Sequence, residues 1–325
     1  MEHHPPHIVV SRCLGFAACR YDGQMLHDAW IERMKPYVTM TTVCPEADIG
    51  MGTPRLPVRL VNMDQLNDGQ AIIMIQPATG KQFTQSMDAY GEQQAQSLPE
   101  MDGFILKSRS PSCGYGDVKI YHSTADDAQY DQGSGLFAAA MRERFPLLAM
   151  EHEARLNNFD AREVFLMRIF AFARLRVLRD APSAAGLSTF HARHKLLLMC
   201  FNQNMMRQCG RIASHSDGLP LAEMVAMYAD QFHRTLMQES TTKNIINAVY
   251  HGFGWLSEGL PSAEKALFIE AVEAYRYDHA TLATLLQLLK SYVLRFDHDY
   301  LGSQYLLEPY PPALFDFAAE SLAEH

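Results

Sequence analysis

Three cysteines, Cys13, Cys44 and Cys113, each follow a short strand-like apolar run, the placement expected of thiols kept for chemistry rather than packing. Cys113 closes Lys107-Ser108-Arg109-Ser110-Pro111-Ser112-Cys113-Gly114, in which Ser110 and Cys113 lie three apart in a turn stiffened by Pro and Gly. If the three preceding strands run parallel in one sheet, all three thiols emerge at its carboxyl edge, where open α/β sheets bind ligands. None of the three belongs to a CxxC pair, so a structural zinc ribbon finds little support. Three thiolates from distant loops can hold an iron–sulfur cluster, whose irons favour soft sulfur donors. The same spacing also fits ordinary buried cysteines, a single catalytic zinc, or a redox sensor in which Cys13 pairs with Cys19. Cys19 reads as packing beneath its loop, with completion of a four-cysteine site as its alternative. Cys200 and Cys209 sit in Leu- and Met-rich helical sequence, where cysteine acts as a small hydrophobe.

The elements that carry these loops form an α/β half. Strands are expected at His7 to Ser11, at 39–43, 71–76 and 103–107, with helices at 25–37, 82–98 and 136–145. Strands alternating with helices of this length predict a Rossmann-like, mainly parallel sheet with helices on both faces. Beyond about residue 150 the strand signals vanish. Apolar residues at helical spacing predict helices at 162–178, 189–206, 219–238, 242–258, 263–275 and 282–296, with Ser262 as an N-cap. The expected division is therefore 1–150, α/β, and 151–325, all-helical.

The 325 residues, 48% hydrophobic and 20% charged, have the composition of an ordinary globular chain large enough for two cores. No apolar run approaches the roughly 18–20 residues of a membrane span. The first seven residues have neither the basic start nor the apolar segment of a signal peptide and are expected to form a mobile tail, with a cytoplasmic location as the default. A net charge of −9 argues against a general nucleic-acid binder but does not exclude a local basic face.

The motifs Cys13-Leu14-Gly15 with Arg20-Tyr21-Asp22-Gly23, Cys44-Pro45-Glu46 with Pro54-Arg55, and Ser110-Pro111-Ser112-Cys113-Gly114 resemble the thiouracil desulfurase family over residues 7–150. Phe190-His191, His194 to Met199, Glu264-Lys265 and Tyr275-Arg276 resemble a helical domain often fused to it, although Cys209 stands at a position usually aliphatic. The two-domain arrangement is similar to bacterial desulfidases that convert 4-thiouridine in tRNA to uridine. The resemblance implies a [4Fe–4S] cluster held by Cys13, Cys44 and Cys113, with one iron not ligated by protein. It also implies Glu46 as the catalytic carboxylate and Ser110 as a site serine. An open iron is a Lewis acid for the departing sulfur, and a carboxylate two residues past a ligand suits a general base. The bland alternatives are a salt bridge from Glu46 to Arg55 and a turn-stabilising Ser110.

In the helical half Arg193, His194, Lys195, Arg207 and Arg211 cluster within one hairpin, a candidate phosphate footprint for tRNA. A solvated charged face has the same sequence. No RRM, KH or OB signature accompanies them, so free thiobases or thionucleosides remain the alternative substrate.

Overall fold

A computed structural model of the chain describes residues 3–62, 72–125, 127–214 and 218–315. The chain divides into an α/β unit, Pro5–Phe165, and a helical unit that begins at Leu166 and includes His3 and His4.

Four strands, β1 (His7–Ser11), β2 (Thr39–Val43), β6 (Gly103–Leu106) and β9 (Ala149–His152), form a fully parallel sheet in the order β2-β1-β6-β9. Ile8, Val9 and Val10, and likewise Phe104, Ile105 and Leu106, are completely buried. A strand covered on both faces reads as an unbroken apolar run, which is why β1 and β6 are visible in the sequence. The order places a topological switch between β1 and β6, because the chain leaves β1 first to one side and then to the other. That crevice is where such sheets bind ligands.

A second, mixed sheet is inserted into the crossovers. Its strands are β3 (Arg59–Asn62), β4 (Ile72–Gln76), β5 (Lys81–Gln82), β7 (Val118–Tyr121) and β8 (Tyr130–Gly133), ordered β5-β4-β3-β7-β8. Only β3 and β7 pair in parallel. The strand expected at 71–76 thus belongs here, antiparallel to β3, and not in the parallel sheet. One core joins both sheets: Val9, Phe104 and Leu106 meet Leu60, Met74, Val118 and Ile120 beside helices α3 (Thr84–Ser97) and α4 (Leu136–Arg144).

Other boundaries differ from expectation for local reasons. Residues 25–28 are not helical, because Asp28 caps α1 (Ala29–Met34) by accepting from the Trp30 and Ile31 amides. A boundary at residue 150 falls inside β9, the strand that completes the parallel sheet. The chain instead changes units within α5 (Phe159–Asp180). The helix expected at 189–206 is two, α6 (Ala184–Met199) and α7 (Gln203–Ala213), because the Asn202 side chain caps the second. Ser262 is the first residue of its helix, Ser262–Arg276, not the cap; the Pro261 carbonyl accepts from the Glu264 and Lys265 amides. Nor is the N-terminus loose at His3, which is partly buried and hydrogen-bonded to Glu308 at 3.2 Å.

Candidate active site

Because β2, β1 and β6 are adjacent and parallel, the loops bearing Cys44, Cys13 and Cys113 leave the same edge of the sheet. All three thiols, with that of Cys19, are buried and free of disulfides, and all four line one cleft of about 1300 Å³. Burial, followed by the nearby Cys44 sulfur, pushes the Cys13 thiol up to about 11. Burial likewise pushes Cys19 up to about 12, and Cys113, the most enclosed, well above its usual range. Burial leads each of these shifts, with neighbouring thiols among the further causes, and a bound cationic centre would favour the thiolate forms.

The Cys44 loop is built as a single turn, α2 (Pro45–Asp48), with Pro at its first position. Asp48 anchors it, accepting from the Cys44 amide at 3.2 Å, from Tyr90 at 2.8 Å and from both terminal nitrogens of Arg12. Glu46 lies on the same turn and is 9% exposed. Its Oε2 accepts from Arg55 Nε at 2.8 Å and Nη2 at 2.7 Å. Its Oε1 accepts from Ser112 Oγ at 2.8 Å and from Ser110 Oγ at 3.4 Å. The salt bridge to Arg55 and a place in the cleft are therefore both properties of Glu46.

The Cys113 turn is held by Ser110, whose Oγ accepts from the Ser112 amide at 3.3 Å and the Cys113 amide at 3.1 Å. Ser108 and Asp117 close its base: Ser108 Oγ donates to Asp117 at 2.6 Å, and Asp117 accepts from the amide of Arg109, which has φ +60°. Gly135 packs against the turn so tightly that a Cβ there would lie 2.4 Å from the Ser112 carbonyl oxygen.

Ser110 thus touches Glu46, but the shorter bond comes from Ser112, a residue the sequence reading had not singled out. A Ser-Pro-Ser turn offers two hydroxyls, and only the backbone trace tells which one faces the carboxylate. Asp48 was missed too, although its place one turn beyond Cys44 was a usable signal.

The helical-half candidates separate into two groups. Lys195, Arg207 and Arg211 are exposed. His194 is completely buried, donating from Nδ1 to the Phe190 carbonyl at 2.7 Å and accepting at Nε2 from Arg174 Nε at 3.0 Å. It is a packing residue with no surface for RNA, and burial, then the Arg174 charge, keeps it neutral. Arg193 is also structural: it donates to the Ser303 carbonyl at 3.3 Å and lies 4.4 Å from the centre of the Tyr305 ring.

Comparison with known proteins follows the same division. Residues 8–153 match the family described as 2-thiouracil desulfurase, and residues 195–311 match a protein family of unknown function, DUF1722. The uncharacterized protein YbbK of Bacillus subtilis (strain 168) is 32% identical over 154 residues, which is 96% of that protein and 45% of this chain. A solved structure titled [4Fe-4S]-dependent thiouracil desulfidase TudS is 27% identical, covering 93% of its own chain and 47% of this one with a TM-score of 0.35. Through its α/β unit the chain belongs to the 2-thiouracil desulfurase family, and a DUF1722 domain follows it.

Proposed function

We propose that this protein is a non-redox desulfidase that replaces the thiocarbonyl sulfur of 4-thiouridine in tRNA with oxygen from water, giving uridine and sulfide. The observation that carries the proposal is the convergence of three buried thiols and one carboxylate on a single cleft at the sheet's switch point. Soft, buried, free thiols fit a [4Fe–4S] cluster, and the family resemblance implies Cys13, Cys44 and Cys113 as its ligands with one iron not ligated by protein, Cys19 lying free in the same cleft. Among the described residues no three His, Cys, Asp or Glu side chains close around a single metal ion. When bound, such a cluster supplies a soft Lewis acid for the departing sulfur.

The protein's own part is proton handling and positioning. Glu46 is the general base for the attacking water, aimed by Arg55 on one oxygen and by Ser112 and Ser110 on the other. Arg55 and the two serines are positioning residues. Lys195, Arg207 and Arg211 are the exposed cations of the helical unit that suit a phosphate backbone. A free thiouracil is the second reading, favoured by the family's description and equally compatible with the cleft. Action on tRNA implies a cytoplasmic site of work; among the described residues no helix is long and apolar enough to cross a membrane.

Two variants test the assignment. Glu46→Ala is expected to keep the iron chromophore and lose turnover, whereas Cys113→Ala loses the iron. An active Glu46→Ala enzyme, or a fully loaded Cys113→Ala protein, contradicts the respective role.

A further inference from the structure

The cleft is larger than its chemistry requires. At about 1300 Å³ it exceeds the roughly 300–1,000 Å³ typical of sites for drug-sized ligands, so a single pyrimidine leaves most of it unfilled. Its far wall is the second sheet. Strand alternation sends Leu60 and Ile120 into the core and turns Arg59, Lys119 and Tyr121 to the other face, where the cleft lies. The register sets Tyr130 opposite Tyr121 and Gln132 opposite Lys119, and both β8 side chains also line the cleft.

This face is aromatic and cationic in alternation. Tyr121 and Tyr130 meet edge to face at 5.8 Å. Arg59 lies 4.7 Å from the centre of the Tyr121 ring while donating to the Ala125 carbonyl at 3.1 Å, and Lys119 lies 4.2 Å from that of Tyr130. Nearer the thiols, Arg20 lies against Tyr21, which is 46% exposed. The cleft lining includes six cations (Arg20, Arg55, Arg59, Lys107, Arg109 and Lys119) but only two carboxylates, Glu46 and Asp117, in a chain of net charge −9. Glu46 pairs with Arg55, Asp22 with Arg20 and Glu153 with Lys107. Among the described residues, no carboxylate pairs with Arg109 or Lys119. Aromatic rings that accept bases, interleaved with cations that meet phosphates, are the means by which single strands are held without sequence readout.

We infer that the outward face of β3, β7 and β8 is a track for a single RNA strand, with the exposed Tyr130 stacking a neighbouring base, Tyr121 set edge-on against it, while Lys119 and Arg109 meet its phosphates. The inference deepens the desulfidase reading and rests on it for the direction in which the strand leads. It assigns the strand next to the reacting nucleotide to the α/β unit itself.

Fluorescence anisotropy of a labelled octauridine on the full-length protein tests it. Tyr130→Ala is expected to weaken binding roughly tenfold, within the range for loss of one stacked base. Lys119→Gln is expected to lower the slope of log affinity against log salt by about 0.7, one phosphate's share on a single strand, and Lys119→Arg to restore it. Both side chains are exposed, and unchanged circular dichroism checks the fold; Arg109→Asn, which tolerates the positive φ, gives an independent variant expected to act like Lys119→Gln. Wild-type affinity and salt slope in all these variants overturn the track. The desulfidase reading is judged separately, by loss of 4-thiouridine from tRNA with the unaltered protein. Loss of 4-thiouridine with unaffected variants overturns the track alone. Weakened variants alongside untouched tRNA uphold the track and remove 4-thiouridine in tRNA as the substrate.

Discussion

Arg55→Met probes how Glu46 is held. The guanidinium gives Glu46 Oε2 two bonds and donates from Nη1 to the Cys19 and Gly52 carbonyls at 2.9 and 3.0 Å. The Arg55 and Glu46 side chains are only 5% and 12% exposed, so removing the cation strands a nearly dry carboxylate. Breaking one partner of a buried pair costs about 3–5 kcal/mol. Glu46 keeps its Ser112 bond, which sets the expectation at the lower end, ~3 kcal/mol. For a domain of this size that corresponds to a fall of about 6–12 °C in Tm. Neutralising both partners in Glu46→Gln/Arg55→Met returns most of the loss, because a buried pair exchanged for neutral groups is often nearly cost-free. The two tryptophans make the assay selective: Trp30, buried, lies in the α/β unit and Trp255, 61% exposed, in the helical unit. In a Trp255→Phe background, urea unfolding followed by Trp30 emission reports the α/β unit alone. A loss below about 1 kcal/mol, the range of exposed pairs, refutes the reasoning, as does a double variant no more stable than Arg55→Met.

Ser112→Ala removes the shorter bond to Glu46, so turnover is expected to fall about 10- to 100-fold, the equivalent of one hydrogen bond to a charged group. Ser110→Ala, which removes a 3.4 Å contact, should cost turnover less; equal effects in steady-state kinetics contradict this ranking. The helical unit should lose stability as acid is added. Burial, then the Lys195 charge, holds His191 down at about 4, and His194 is held low by burial and Arg174. Their folded values lie below the unfolded one of about 6.5, so their contribution is full above that pH and is lost as pH falls toward 4. Thermal unfolding read from Trp255 in a Trp30→Phe background should therefore show a falling Tm from about pH 7 to 4.5, and a flat profile contradicts it.

How much of this was legible depends on burial. β1, β2 and β6 declared themselves as runs such as Ile8-Val9-Val10 and Phe104-Ile105-Leu106, and with them came the convergence of three thiols on one edge. Of the second sheet only β4 was visible, as the run at 71–76; β8 is Tyr-Asp-Gln-Gly with no apolar residue turned inward, and β7 is only four residues long. The base-stacking wall was lost with them. His194 was misread for a different reason. Beside Arg193 and Lys195 it looks like part of a charged face, yet Phe190, His194 and Leu198 recur at a spacing of four on the buried side of α6. That spacing was present in the sequence and outranks adjacency.

The most direct test of the central claim is an anaerobic incubation of the full-length protein with thiolated bulk tRNA, in which 4-thiouridine, uridine, iron and inorganic sulfide are all quantified on one sample. The account predicts loss of 4-thiouridine matched by gain of uridine, with about four irons per chain, as a cubane requires. Protein that carries no iron after anaerobic reconstitution, or that removes 4-thiouridine without it, contradicts the account.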